Sequence, residues 1–337
     1  MRVLHIANFS LGKNGTVFYS TDRKLSAGFT RAGHFVYDIS DRDMARSLSR
    51  LNSKKLGRNK LNEAVLRTVA NLQPEFLLLG HTDLLHEKTL DEARRLAPGL
   101  RIAQWFVDPL FEPHARQHLL ERLPHLDAFF CTTAGDWLDP FRKVNPNCYY
   151  LPNPVDPAIE CQRNDEKTAF DHDLLYVGID YKDPARTAML EALSEKTGEL
   201  RFKLHGSLGQ PPIFGAAYLD LLSRSKMGLN LSRRNDIPYY SSDRIAQLTG
   251  NGLLTFIPET PGFRTLFSDD EVVYFDGTAD LVEKALHYNR HDDARRGIAA
   301  RGRERAHRSY HAERIAGWIL AATLGTARQT DYEWHDA

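Results

Sequence analysis

The chain is 337 residues long, with 42% hydrophobic and 26% charged residues. That suits about two packed domains and excludes a disordered, collagen-like or disulfide-scaffold protein. Lys and Arg total 44 and Asp and Glu total 44, so the formal net charge is zero and the basic excess of a nucleic-acid-binding protein is missing.

No apolar run approaches the roughly 18 residues of a membrane-spanning helix. The opening MRVLHIANFS is interrupted by Asn8 and Ser10 and reads as a first strand over residues 2–9, not as a secretory signal. A loop with Gly15 follows, then a helix to about Ala32, where Gly33 fits a C-terminal cap. Residues 35–39 restart a strand and residues 62–72 predict a helix. Pro74 precedes the apolar run at 76–79, which Gly80 closes. A helix at 89–96 ends before Pro98-Gly99; then come a strand at 101–107, a helix at 115–123, a strand at 128–132, a helix at 136–144 and a last stretch at 148–151. Continuous apolar strands between helices predict a parallel sheet covered on both faces.

At Pro152, Pro154 and Pro157 this grammar breaks, because prolines so close together neither continue a helix nor sit in a central strand. With the polar stretch 160–171 behind them, they divide an N-terminal domain, 1–155, from a C-terminal domain, 156–325. The second domain repeats the pattern. Its strands are expected at 173–177, 202–204, 227–231, 253–257 and 272–275. Asp183 caps a helix with Pro184 at its first position. Residues 216–223 form another, and Ser241 or Ser242 caps one that ends near Gly250-Asn251-Gly252. Thr278 caps 279–288, and helices at 292–309 and 312–324 precede a loose tail, 326–337. The fold class is α/β: two doubly wound Rossmann-like domains facing across a cleft at the carboxyl ends of their strands, where ligands bind. Cys131, Cys148 and Cys161 lack the CxxC pairs of a zinc site, and nothing demands an oxidising compartment, so the cytoplasm is the default.

Leu229-Asn-Leu-Ser232, followed by Ser241-Ser-Asp-Arg-Ile-Ala-Gln-Leu-Thr-Gly-Asn-Gly252, resembles the group 1 glycosyltransferases of the GT-B fold, most of all their CgeB-like, spore-maturation-type branch. Arg244 matches the Arg of that family's R-x-x-E-A-x-A-x-G helix, and Gln247 stands where the family usually has Glu. Gly262-Phe-Arg-Thr-Leu-Phe267 is similar to its G-x-x-x-L-F element, and the run from Arg295 to Glu304 to its R-x-x-x-A-x-x-G-R-E helix. The resemblance covers about residues 170–320; the first half matches in architecture and in the linker Leu151-Pro-Asn-Pro-Val-Asp156. It implies a sugar moved from a nucleotide-diphosphate sugar to a hydroxyl acceptor, a glycan or surface polysaccharide. The donor would bind the C-terminal domain and the acceptor the N-terminal one, with the last helix free to pack back on the latter. Domain closure would complete the site, with no cofactor and no metal ion.

Arg244 falls in the first turn of its helix, where orphan N–H groups and the positive dipole end favour an anion, and its fork suits a diphosphate. The competing reading pairs it with a carboxylate such as Asp236. Ser241 and Ser242 can cap the helix or bind phosphate. Gln247, three residues on, shares the Arg244 face; the family Glu would bind ribose hydroxyls, and Gln either does so without charge or only packs. Gly178, in Tyr176-Val-Gly-Ile-Asp180, permits close backbone approach, near the donor phosphates by resemblance. His205, before Gly206, stands where such proteins often meet the nucleotide base, unless it is structural. Tyr239 and Tyr240 either touch the base or sugar or pack as loop tyrosines.

A catalytic base must follow a strand of the first domain. Asp108, in Gln104-Trp-Phe-Val-Asp-Pro109, is best placed, against a turn-capping role; His81 and Asp83 follow the 76–80 run. Either carboxylate or imidazole can take a hydroxyl proton within ~3 Å. Asp22 is open between a base, the first residue of a helix capped by Thr21, and a buried member of a face with Phe18, Leu25 and Phe29. Asp41-Arg-Asp43 has metal-motif spacing among basic residues, and no HExxH occurs, so no metal is expected. Arg42, Arg46 and Arg50 share one helical face in a basic run to Lys60, which either touches anionic lipid or a phosphorylated acceptor, peripherally at the membrane, or is solvated. Two rivals remain: a nucleotide-sugar 2-epimerase on the same fold, and a non-catalytic nucleotide-sugar-binding or coat-assembly protein.

Overall fold

In the computed structural model, which describes residues 1–179, 183–196, 198–328 and 331–334, the chain divides into two compact units. The first comprises residues 1–152 with 312–337, the second residues 153–311.

The first unit contains β1 (Arg2–Ala7), α1 (Thr21–Arg31), β2 (Phe35–Ser40), α2 (Asp41–Ser47), α3 (Lys54–Leu72), β3 (Phe76–Leu79) and α4 (Glu87–Leu96). These are followed by β4 (Arg101–Phe106), α5 (Pro113–Arg122), β5 (Ala128–Cys131), α6 (Asp139–Arg142) and β6 (Cys148–Tyr150). The strands form one six-stranded sheet in the order β2-β1-β3-β4-β5-β6, every neighbouring pair parallel. All four residues of β3 and all four of β5 are buried, as a strand covered on both faces requires. The chain winds outward from β1 to β2 and then returns to β3, so the order reverses between β1 and β3. Ligands of open parallel sheets gather at such a reversal, beyond the carboxyl ends of the strands.

The second unit contains β7 (His172–Val177), α7 (Pro184–Lys196), β8 (Phe202–His205), α8 (Ala216–Ser223), β9 (Ser225–Leu229), α9 (Arg244–Gly250) and β10 (Leu254–Pro258). β11 (Val273–Phe275), α10 (Gly277–Arg290) and α11 (Asp292–Ser309) complete it. Its five-stranded parallel sheet runs β11-β10-β9-β7-β8, so its reversal lies between β7 and β9. Asp183 caps α7 as expected, its Oδ1 accepting from Arg186 N at 3.2 Å.

α12 (Ala312–Thr323) groups with the first unit. It lies so close to α1 that a Cβ on Gly28 would come within 2.2 Å of Ala312 O. Trp318 on α12 is fully buried, donates to Tyr150 O at 3.3 Å and meets Phe130 and Tyr149 edge-on. The tail expected to be loose is tied down here: Trp334 is 1% exposed, its ring 6.4 Å from Trp318, and Arg314 pairs with Glu333 at 2.8 Å. Burial of aromatic surface outweighs the ordering of so few residues.

Three further expectations are corrected. The helix expected at 62–72 begins at Lys54. α2 ends at Ser47 and Arg50 lies in the turn beyond it, so Arg42, Arg46 and Arg50 form no helical stripe. α9 and α10 begin after Asp243 and Asp276, with no side-chain cap from Ser241, Ser242 or Thr278. Cys131 and Cys148 are buried and free, their thiols pushed up to about 12 by burial, which leaves them inert.

Candidate functional site

Two clusters of sequence-predicted residues assemble, one at the strand ends of each unit. In the second unit the centre is Arg244. Its Nε donates to Val177 O at 2.7 Å and its Nη1 to Leu231 O at 3.0 Å, the last carbonyl of β7 and one just past β9. The guanidinium thus spans the reversal between those strands, with its carbon 4.9 Å from the Tyr176 ring centre. It does not pair with Asp236, which Arg234 holds instead. Nη2 makes no hydrogen bond to a described residue, so part of a charged fork fixed at Nε and Nη1 is unengaged among those residues.

Gly178 makes that placement possible. A Cβ there would lie 2.7 Å from Arg244 Nη2 and 2.5 Å from Tyr176 Oη, distances no side chain tolerates. Its N–H donates to His205 O at 3.0 Å and its carbonyl accepts from Ser207 Oγ at 2.6 Å. Asp180, at the end of that motif, lies outside the described residues. His205 closes β8; its Nδ1 donates to Pro211 O at 3.0 Å, and its Nε2 makes no hydrogen bond to a described residue.

The other donor-side expectations fare differently. Ser241 is 1% exposed and donates to Asn230 Oδ1 at 3.3 Å, while Asn153 of the proline-rich linker reaches the Ser241 and Ser242 carbonyls at 3.4 and 3.3 Å. Both serines therefore shape the chain ahead of α9. Gln247 is 6% exposed and accepts from Tyr218 Oη at 2.7 Å. Tyr240 is equally buried and offers no open face for stacking a base. Tyr239 sits at φ 54° and accepts from Thr265 Oγ1 at 2.7 Å. Ser207 and Asn153 went unnoticed from sequence as site-shaping residues. Only the linker pattern around Asn153 carried a signal; Ser207 had none.

In the first unit His81 and Asp108 meet. His81 follows β3, Asp108 follows β4, and their Nδ1 and Oδ2 atoms are 2.9 Å apart. The His81 ring lies 6.2 Å from Phe106 with planes 9° apart. The hydrogen bond to Asp108 raises the His81 pKa above its usual 6.5, against burial, which lowers it. With Nδ1 donating to the carboxylate, Nε2 is the basic nitrogen, and it is unengaged among the described residues. The structure thus joins in one hydrogen-bonded pair two residues that the sequence weighed separately.

Asp22 is 5% exposed, in the first turn of α1, and its Oδ1 accepts from Trp105 Nε1 at 2.8 Å beside the fully buried His5, at 3.4 Å. This is the buried reading; neither Thr21 as a cap nor Phe18 as a buried companion holds, since Ser20 precedes the helix and Phe18 is exposed. Asp83 pairs with Arg42 at 3.1 Å and Lys54 at 3.3 Å. Asp41 and Asp43 are spent on Thr82 and on the N–H groups of Leu11 and Gly12. Among the described residues no three of His, Cys, Asp and Glu come together as a metal-ligand set, and no helix is long and apolar enough to cross a membrane.

Residues 186–321 match the family described as glycosyl transferase-like. No protein of curated function matches the sequence significantly. Among solved structures, sucrose-phosphate synthase from Thermosynechococcus elongatus superposes with a TM-score of 0.63 at 12% identity, over 97% of this chain and 100% of that one. Anabaena HepE, solved in complex with UDP-glucose, gives 0.62 at 12% identity over the same shares. TarM gives 0.58 at 10% identity over 80% of this chain, which spans 58% of TarM. The chain therefore has the two-unit α/β architecture of GT-B glycosyltransferases, and the stretch bearing Arg244 is a glycosyl transferase-like domain. That class favours sugar transfer over the epimerase and the non-catalytic readings.

Proposed function

We propose that this protein moves a sugar from a nucleotide-diphosphate donor to a hydroxyl of a glycan or surface polysaccharide, as a member of the CgeB-like branch. The observation that carries the reading is Arg244 braced across the β7–β9 reversal with a guanidinium edge free. That edge would meet the donor diphosphate and neutralise the leaving group as the glycosidic bond breaks, without a metal ion. His205 Nε2 and the amide of Gln247 would contact base and ribose. His81 Nε2 would take the acceptor hydroxyl's proton, held in register by Asp108. HepE binds UDP-glucose, which makes uridine diphosphate the first nucleotide to try. The free buried cysteines suit a cytoplasmic setting, with contact to the membrane face through the basic 42–60 stretch.

The test is a thermal-shift screen of nucleoside diphosphates and nucleotide sugars. A donor at about 100 times its dissociation constant adds about 2.7 kcal/mol of apparent stability. A flat melting temperature across the whole set would remove the reading.

Two substitutions probe the donor side. Gly178→Ala places a Cβ against Arg244 Nη2 and Tyr176 Oη and forces one of them to shift, so nucleoside-diphosphate affinity falls by about 0.5–1.5 kcal/mol, the net value of a hydrogen bond. Calorimetry giving the parent's affinity would show that the fork is not aimed at the ligand. Gln247→Ala leaves Tyr218 Oη without its acceptor and removes an amide from the ribose, so stability and affinity each fall by about 1 kcal/mol. A loss of stability alone would leave Gln247 with a packing role only.

A further inference from the structure

A cavity of about 540 Å³ opens in the first unit between the segment after β1 and helix α2. Its lining includes Lys13, Arg42 and Arg46 against a single carboxylate, Asp43. That carboxylate is turned to other work: it accepts from Leu11 N at 2.7 Å, Gly12 N at 3.3 Å and Ser40 Oγ at 2.5 Å, which hold its pKa below the ordinary range. The cations keep donors in hand. Arg42 spends Nε on Asp83, Arg46 reaches Asp43 only at 3.6 Å, and the Lys13 ammonium has no partner among the described residues. Two residues of the rim, Ser10 at φ 51° and Asn52 at φ 50°, hold left-handed backbone that glycine adopts more easily.

We propose that this cavity binds the anionic group, a phosphate ester, of the acceptor. The proposal rests on the glycosyltransferase reading and adds the acceptor's chemical class. Three cations with free donors around a polar cavity form a phosphate-binding constellation, and Arg42 and Arg46 can each grip a phosphate through two N–H groups. The position agrees. The cavity lies at the carboxyl ends of β1 and β2, and His81 follows β3, the other neighbour of β1. At about 4.8 Å per strand step, β2 is roughly 10 Å from β3, a span of one or two sugar rings. Arg42 and Asp83 also act electrostatically on His81, so the charge in the cavity and the base are coupled. The phosphate has two possible sources, a soluble sugar phosphate or a lipid headgroup, and exposed Leu11 and Leu51 beside the cavity make the second worth testing.

The experiment compares the parent with a Lys13→Glu, Arg46→Glu double variant, both positions being at the surface. Glucose 6-phosphate binding is measured calorimetrically with the donor side saturated by uridine diphosphate, and binding to phosphatidylglycerol vesicles by co-sedimentation. The parent binds at least one probe, and the double variant binds it at least tenfold more weakly with an unchanged melting temperature and unchanged uridine diphosphate affinity. Loss of the sugar phosphate identifies a soluble acceptor; loss of the vesicles alone identifies a headgroup. A parent that binds neither probe, or a variant that binds as well as the parent, overturns the proposal while uridine diphosphate binding leaves the transferase reading intact. Probe binding that depends on these residues in a protein blind to every nucleotide would sink the transferase reading and keep the anion site.

Discussion

Replacing Asp108 by Asn lowers turnover by about 10²–10⁴-fold, the usual contribution of a positioned general base, and leaves donor affinity unchanged. The reason lies in which nitrogen of His81 carries the proton. Asp108 Oδ2 accepts from His81 Nδ1 at 2.9 Å and so keeps Nε2 free as the base. An asparagine amide that donates to Nδ1 forces the proton onto Nε2, and the imidazole then faces the acceptor with the wrong tautomer. The pH profile carries a second signature. Asp108 raises the His81 pKa, and the base works only when neutral, so the parent's kcat/KM climbs with pH through that raised value. In Asp108→Asn the residual climb moves to lower pH. Stability runs in the opposite direction. Because the folded pKa exceeds the unfolded 6.5, the protonated pair contributes fully below that pH, and its contribution fades as pH rises through the folded value. A profile unshifted by the substitution, with near-normal turnover, would reduce Asp108 to a turn residue ahead of Pro109. Retention of anomeric configuration by NMR would also remove the base role, since a retaining transfer does not need one there.

Arg244→Ala is expected to weaken donor binding by about 1.5–3 kcal/mol, roughly 10- to 150-fold, the value of a hydrogen bond to a charged group. It also costs stability, because Val177 O loses the Arg244 donor and Leu231 O keeps only Tyr176 Oη, at 3.4 Å, at the end of a parallel sheet. Arg244→Lys separates the two effects. An ammonium keeps the charge but cannot bridge both carbonyls and still offer a fork, so the Lys variant recovers part of the affinity and little of the stability. Calorimetry with uridine diphosphate and a melting curve on each variant read the two quantities independently. Donor affinity unchanged in the Ala variant would take Arg244 out of the site and leave it as a brace between β7 and β9.

The architecture was largely legible in the sequence because its signals are local. Apolar runs such as 76–79 and 128–131 bear the mark of strands buried on both faces, and each lies between helical stretches. Pro152, Pro154 and Pro157 interrupt the pattern where the two units divide. Boundaries were missed where local rules were weak. The start of α3 is masked by Lys54, Lys55, Arg58 and Lys60, a polar stretch whose helix is anchored partly by contacts from Gly57 to Ala45, so close that a Cβ would lie 1.7 Å from Ala45 O. The tail looked loose because its aromatic and charged anchors, Tyr332, Glu333 and Trp334, have partners on a helix several turns earlier in the chain.

For the site, sequence by itself determined which residue types stand at the strand ends: Gly178, His205, His81 and Asp108 each follow a predicted strand, and Arg244 opens a helix. Strand-end position is a one-dimensional property, fixed once the apolar runs are found. Tertiary structure alone decided what those residues do together. Sheet order makes β3 and β4 neighbours, which turns two separate candidates into the His81–Asp108 pair. It also makes β7 and β9 neighbours although the chain between them runs from residue 178 to residue 224, so that one guanidinium can hold both strand ends. Packing then withdrew Asp22 and Tyr240 into the interior and engaged the Gln247 side-chain oxygen, and the partners that do so, Trp105 and Tyr218 among them, come from elements far away in sequence. Hydrogen bonds between distant strands depend on which edges the folded sheet brings within about 3 Å, and no local pattern of residues encodes that.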